Sequence, residues 1–204
     1  MGGIRDAQKQ ATRERVLAAA RELFVDIGYE AATIRMIADR AGVATGSVFT
    51  TFPSKIAILR AVMDERLERL FLELDAVVPH LRGSTVVRLC SVMAMHYDFE
   101  MRRPRLFTTY LAANFEWSDG EPLITFGRQP RLVGILRDIL TAGVTGGDVR
   151  SDIDVNVFID FLLAAYGFNY RLAAQEGLGA GELSDIMDRQ IALMFSGIAR
   201  NAAG

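Results

Sequence analysis

Cysteine occurs once in this 204-residue chain, as Cys90, so no disulfide can close within it. That fits a reducing compartment. Histidine occurs twice, as His80 and His96, and with a single cysteine it cannot build a metal cluster of familiar spacing. Lysine is almost missing: Lys9 and Lys55 are the two copies, and arginine carries the rest of the positive charge. The formal net charge is −2, so the chain as a whole has no basic excess of the kind that announces nucleic acid by composition. No apolar run approaches the ~20 residues of a membrane span; Phe161 to Phe168 is among the longest. The first residues carry no apolar leader, and a cytoplasmic protein with no membrane partner is the expectation. A phosphate loop, a dinucleotide glycine fingerprint and a nucleophile elbow are all missing. No cofactor is therefore expected, and an enzyme would have to be built on His96 and Glu100, four residues apart.

Half of the residues are hydrophobic, enough for a real core. Their spacing is helical throughout, and no segment alternates as a strand would. Residues 1–8 are polar with two glycines and read as a frayed end. A first helix fits about 9–27, with Val16, Leu17, Ala20, Leu23, Phe24 and Ile27 recurring, and Gly28 stops it. A long helix fits 54–77, striped by Ile56, Leu59, Val62, Met63, Leu67, Leu70 and Leu74, with Pro79 at its end. Residues 84–102 are apolar nearly all round, the mark of a helix central to a bundle. Pro104 starts another helix; 117–128, with Trp117, Gly120, Pro122 and Gly127, reads as a loop or lid. Helices over 129–143, 154–175 and 181–200 complete an all-α fold of about nine helices. Charge divides mildly along the chain: 1–55 hold eight Lys/Arg against six Asp/Glu, and 56–204 hold fifteen against nineteen.

The stretch Thr33 to Lys55 organises the rest. Thr33 suits an N-cap, Ile34, Ile37, Ala38 and Ala41 share one helical face, and Gly42 sits where a left-handed residue is needed. A second short helix fits 45–52 and is ended by Pro53, with Ser54 capping the long helix after it. Two short helices joined by a glycine-containing turn make a helix-turn-helix. With the first helix packed across them, a core of Val16, Leu23, Phe24, Ile34, Ile37, Val48 and Phe52 is expected. In such a unit the second helix enters the major groove, and its first residues reach base edges. Those residues are Thr45, Gly46, Ser47 and then Thr50; hydroxyls donate or accept, and Thr methyls pack on thymine methyls. Thr33 and Arg35 are placed to meet phosphate, and Lys55 offers an ammonium to another. In the bland alternative, Thr33 and Ser54 only cap helices and Lys55 is a solvated surface residue.

Thr12 to Leu59 resembles the DNA-binding domain of TetR-type (tetracycline-repressor-like) regulators. The match is carried by Ala19-Ala20-Arg21-Glu22-Leu23-Phe24, Gly28-Tyr29, Ile37 through Val43, and Phe52-Pro53-Ser54-Lys55. The resemblance implies a DNA-binding domain over 1–55, a ligand-binding and dimerisation domain over 56–204, a palindromic operator and a homodimer. It also marks departures. Phe49 stands where such proteins usually have Tyr, Thr50 and Thr51 where His or Tyr is common, Ala44 where Ser often caps, and Ile56 where an acidic residue is common. Reading by hydroxyls, methyls and Phe49, with few charge-assisted contacts, is the expectation.

Beyond about residue 75 the resemblance says little, and the residues must speak for themselves. Met93, His96 and Tyr97 on the most apolar helix, Phe107, Tyr110, Asn114 and Trp117 after it, and Phe161, Phe168 and Asn169 further on form an aromatic set with a few polar groups. That is what a small-molecule site looks like, and it is also what a well-packed core looks like. An apolar or aromatic effector is expected, since no Lys and no Arg pair points inward. The last two helices carry more apolar side chains than one buried face needs, and Ala164, Gly167, Met194, Phe195 and Ile198 are expected at a four-helix dimer interface. The reading is a ligand-responsive DNA-binding repressor. Its rivals are a helical protein-interaction module that has lost DNA contact and a small all-α enzyme using His96 and Glu100.

Overall fold

The computed structural model describes residues 2–115 and 129–196. Among them are nine α-helices: α1 Gly2–Asp26, α2 Ile34–Ala41, α3 Thr45–Thr51, α4 Lys55–Val77, α5 Thr85–Met101, α6 Pro104–Phe115, α7 Pro130–Gly146, α8 Val155–Glu176 and α9 Ala180–Ser196. A 3-10 turn, Val78–His80, closes α4 at Pro79. No strand occurs among the described residues. None of their helices is long and apolar enough to cross a membrane. The predicted loop over 117–128 lies outside them.

Two compact units emerge, Met1–Arg69 with Arg103–Ala113, and Leu70–Arg102 with Asn114–Gly204. The first is built on α1 to α3 and the first part of α4. Val16, Leu23, Phe24, Ile37, Val48 and Phe52 are buried, as expected, while Ile34 is half-buried at the edge. The ion pair Arg21–Glu65 ties α1 to α4, and Arg40 reaches Glu22 at 2.9 Å to tie α2 to α1. The caps match the sequence closely. Thr33 Oγ1 accepts from Met36 N–H at 3.2 Å, and Ser54 Oγ from Ala57 N–H at 3.2 Å. Gly42 is left-handed (φ 64°), and Val43 N–H returns to Ala38 O, the six-to-one bond of a helix stop that few other residues permit. Helix α1 corrects one expectation: it runs from Gly2 rather than from residue 9. Polar residues such as Gln8 and Gln10 are adequate helix formers, and Gln10 adds an i,i+4 bond to Glu14.

The second unit packs α5 against α7, α8 and α9. Helix α5 turns Leu89, Val92, Met93, His96, Tyr97, Phe99 and Glu100 inward. Ser84 and Asp154, where the two predicted helices begin, cap α5 and α8, and Gln129 caps α7 through its side-chain carbonyl, 2.7 Å from Arg131 N–H. Helix α7 does not stop at Gly143 as predicted. It continues to Gly146, and left-handed Gly147 (φ 83°) ends it.

Gly143 is buried instead, because α7 and the turn after it close on α5 there. The Asp148 carboxylate accepts from Thr85 N–H at 2.7 Å and from its hydroxyl at 2.9 Å. A Cβ on residue 143 would overlap Thr85 Oγ1 outright and come within 2.8 Å of Val149 Cγ2 and 2.9 Å of Asp148 Oδ1. Gly143→Ala, normally a gain of about 1 kcal/mol inside a helix, should here cost about 1–3 kcal/mol. The expected result is a thermal midpoint lowered by several degrees; an unchanged or raised midpoint would show that the Thr85–Asp148 contact yields freely.

Candidate functional site

In the first unit, α3 presents its N-terminal end and outer face to solvent. Thr45, Gly46, Phe49 and Thr50 are exposed, Ser47 and Thr51 half-buried, and Val48 faces the core. Ala44 supplies no side-chain cap, as its identity predicted. The hydroxyls are not all free to donate. Thr50 Oγ1 gives its proton to Gly46 O at 2.9 Å and Thr51 Oγ1 to Ser47 O at 3.0 Å. Thr50 and Thr51 therefore offer lone pairs and methyls outward. Phe49, 53 % exposed, is an apolar group of the sort that packs on thymine methyls. Arg35 is exposed beside the Thr33 cap, where α2 begins.

Lys55 corrects the sequence reading. Its Nζ donates to Tyr29 O at 2.9 Å, Ala32 O at 3.1 Å and Glu30 O at 3.4 Å, and stands 4.2 Å from the centre of the Tyr29 ring. An ammonium has three protons, and all three are engaged. The side chain is neither a free phosphate ligand nor a solvated surface lysine. It clips the 29–32 turn to the start of α4, and so sets where α2 begins. Arg13, 4.8 Å over the Phe52 ring, braces the other end of α3.

In the second unit, a polar cluster lies at the centre of the apolar packing. Asn169 Nδ2 donates to Tyr97 OH at 2.9 Å and to Gln190 Oε1 at 2.8 Å; Gln190 Nε2 returns a bond to Asn169 Oδ1 at 3.0 Å. This amide clasp joins α8 to α9, with Tyr97 added from α5. Tyr170 OH donates to Tyr166 OH at 3.1 Å, and Tyr166 OH lies 3.5 Å from His96 Nδ1. The rings of Tyr97, Tyr166 and Tyr170 lie 5.1–5.2 Å apart in pairs. Burial pushes the His96 imidazole down to about 4, and pushes Tyr97, Tyr166 and Tyr170 upward. The cluster is thus a set of neutral hydrogen-bonding groups at ordinary pH. His96 Nε2 is buried and has no hydrogen-bond partner among the described residues. Cys90 is raised to about 12 by burial first and by its bond to Asp188, which leaves it an unreactive thiol.

Of the predicted ligand set, Met93, His96, Tyr97 and Asn169 do come together. Phe107, buried, and Tyr110, half-buried, belong to the first unit on α6. The Asn114 side chain and Trp117 lie outside the described residues. Phe161 and Phe168 are separated from Asn169: they are 67 % and 55 % exposed, on the outer face of α8. The sequence put residues 161, 168 and 169 on one face, but the extra 100° between 168 and 169 is the difference between outside and inside. Tyr166, Tyr170 and Gln190 were missed as members of the cluster. The i,i+4 tyrosine pair facing an apolar helix that carries its own His and Tyr was the available signal.

The predicted dimer residues also divide. Ala164 is exposed and Met194 half-buried, but Gly167 and Phe195 are buried within the unit, and Ile198 lies outside the described residues. Phe195 stacks edge-on against Phe158, ring centres 5.5 Å apart. The reason is the i+4 row Leu183, Met187, Ile191 and Phe195, which α9 spends on its own core. What faces outward on α8 is Val157, Phe161, Ala164 and Phe168, spaced four, three and four residues apart, with Leu193 of α9 exposed at 74 %. That spacing is an apolar seam. Beside it, an open hollow of about 310 Å³ is lined by Val157, Phe158, Phe161 and Met194 and rimmed by the Arg150–Asp152 ion pair.

Comparison with known proteins accords with this geometry. Residues 16–62 match the family model described as bacterial regulatory proteins, tetR family. The chain is 34 % identical over 90 residues to the transcriptional regulator TtgW of Pseudomonas putida, covering 44 % of this chain and 67 % of that one. It is 31 % identical over 114 residues to the transcriptional repressor KstR of Mycolicibacterium smegmatis, covering 56 % of this chain and 54 % of the relative, so the match spans about half of that protein's length. Among solved structures, Thermus thermophilus FadR, a repressor in complex with lauroyl-CoA, superposes with a TM-score of 0.69 at 23 % identity, covering 94 % of this chain and 98 % of that one. At that identity the likeness speaks for the fold.

Proposed function

The chain belongs to the TetR family of bacterial regulatory proteins, and from that premise we propose that it is a cytoplasmic transcriptional repressor, acting as a homodimer on a pseudo-palindromic operator and released by a largely apolar small-molecule effector. Residues 1–55 read DNA; residues 56–204 bind the effector and dimerise. The observation that carries this reading is α3, a short helix whose exposed face bears Thr45, Gly46, Phe49 and Thr50 while Val48 anchors it in the core. Base edges are read by Thr45 and Ser47 as donors, by the lone pairs of Thr50 and Thr51, and by methyl and ring contacts. Arg35 and the opening turn of α2 meet phosphate.

The effector site lies in the second unit about Met93, His96, Tyr97 and Asn169, where groups neutral at ordinary pH are set among aromatic rings. Effector binding favours one spacing of the two DNA-reading heads over another, through α4, and does so only by its differential affinity for the two states. A coupling of about 1–3 kcal/mol weakens the operator complex roughly 5- to 150-fold, and operator weakens effector binding by the same factor. No catalytic step is assigned: His96 and Glu100 serve recognition and packing.

Binding-site selection from random duplexes tests the reading. The expected product is an enriched symmetric sequence with half-sites about one helical turn apart. Thr45→Ala and Ser47→Ala should each alter the preferred bases, by about 1–3 kcal/mol of discrimination at the affected position. A selection that enriches no symmetric sequence would leave the protein-interaction reading in its place.

A further inference from the structure

The buried polar groups of the second unit are not equally provided for. Asn169 and Gln190 pair their amides, Tyr97 OH accepts from Asn169, and Tyr97 OH donates to Met187 Sδ at 3.5 Å. His96 is 3 % exposed, and among the described residues its Nε2 has no hydrogen-bond partner. Native cores seldom leave a buried nitrogen in that state unless something else is meant to meet it.

The neighbouring bonds say which kind of group that is. Tyr170 OH donates to Tyr166 OH at 3.1 Å, and Tyr166 OH in turn faces His96 Nδ1 at 3.5 Å. Running in that order, the protons make Nδ1 the acceptor and leave the ring hydrogen on Nε2. The ring is neutral, because burial holds its pKa near 4. Nε2–H is then an uncharged donor with no acceptor among the described residues. One turn along α5, Glu100 is fully buried. An anionic group brought to His96 would enter an apolar site beside that carboxyl group.

We propose that His96 Nε2–H is the recognition donor of the effector site, and that the effector presents to it an uncharged acceptor, the carbonyl oxygen of a ketone, ester or amide, on an otherwise apolar body. This rests on the reading of the second unit as the effector-binding domain. It goes further in naming the atom that reads the ligand and the chemical class it selects.

Two measurements need no ligand. In the free full-length protein, His96→Phe keeps the aromatic volume and removes the orphan donor, so the thermal midpoint should rise by a few degrees. If a bound water or a neighbour already satisfies Nε2, the same substitution lowers the midpoint and the proposal falls. A two-bond ¹H–¹⁵N correlation spectrum of the wild type should show the Nε2–H tautomer at neutral pH; the Nδ1–H tautomer or a charged ring overturns the proton order. The third measurement uses small probes at millimolar concentration: acetophenone, ethylbenzene and benzoate. Acetophenone should shift the His96 Nε2 resonance; ethylbenzene and benzoate should not. No shift with acetophenone, or a larger one with benzoate, overturns the assignment. Failure of operator selection with these three results intact would remove the repressor reading and leave the donor site standing; the reverse pattern would spare the repressor and remove the donor.

Discussion

Phe161→Glu should turn the protein into a monomer at micromolar concentration while leaving each subunit folded. Phe161 is 67 % exposed in the single chain, so the substitution removes little from the subunit's own core. It lies at the middle of the outward row Val157, Phe161, Ala164 and Phe168 on α8, with Leu193 of α9 exposed and a hollow of about 310 Å³ beside it. In a two-fold dimer the same patch meets its copy, so one substitution places two carboxylates at the contact. An unpaired charge buried in this way costs about 3–5 kcal/mol, and the symmetric pair adds repulsion. A monomer holds one half-site at a time and forfeits the effective concentration that links two heads, so operator affinity should fall about 100-fold or more. Sedimentation equilibrium reads the first effect and a thermal melt checks the fold. Phe195→Asp is the contrasting case. Phe195 is packed on Phe158 inside the subunit, so the charge should lower the melting point before it disturbs assembly. A Phe161→Glu variant that remains dimeric would move the interface away from this face of α8.

Lys55→Met should weaken operator binding about 10- to 100-fold without changing its dependence on salt. The methionine keeps an unbranched apolar stem but gives up three bonds to the carbonyls of Tyr29, Glu30 and Ala32. Charge-assisted bonds of this type are worth about 1.5–3 kcal/mol each in favourable settings, and less for a half-exposed group such as this one. Loss of the clip frees the 29–32 turn, and with it the register of Thr33 and the start of α2. The salt slope separates this role from direct contact. A lysine on a phosphate contributes about one unit to the slope; a lysine engaged within the protein contributes none. Arg35→Ala, in the same titration, should shallow the slope by about one unit. If Lys55→Met also shallows it by one, the ammonium leaves its carbonyls on binding and the phosphate role returns.

The two cases show why local and long-range features were not equally legible. Thr33, Gly42 and Ser54 each do what their chemistry allows at one place in the chain, and each cap could be read from a few neighbouring residues. The helix-turn-helix is built almost wholly from such local signals and from one i,i+4 apolar face, so its elements and most of its core were expected. Lys55 was not, because its partners lie 23 to 26 residues earlier, and nothing nearby says that three carbonyls will point at one ammonium.

The sequence by itself determined the number and order of the helices, most of their caps, the short α3 with Thr45 and Phe49 on its exposed face, and the apolar surplus in the last two helices. Only the tertiary structure decided which side of each apolar helix is inside. Helices α8 and α9 are apolar on more than one face, and a periodicity of 3.6 residues marks faces without saying which one a neighbour covers. Contact with α5 turns Tyr166, Asn169 and Tyr170 of α8 inward, together with Phe195 of α9, and leaves Phe161 and Phe168 outside. The same packing pairs the Asn169 and Gln190 amides across α8 and α9 and leaves His96 Nε2 without a partner among the described residues, because pairing is decided by side chains far apart in the chain.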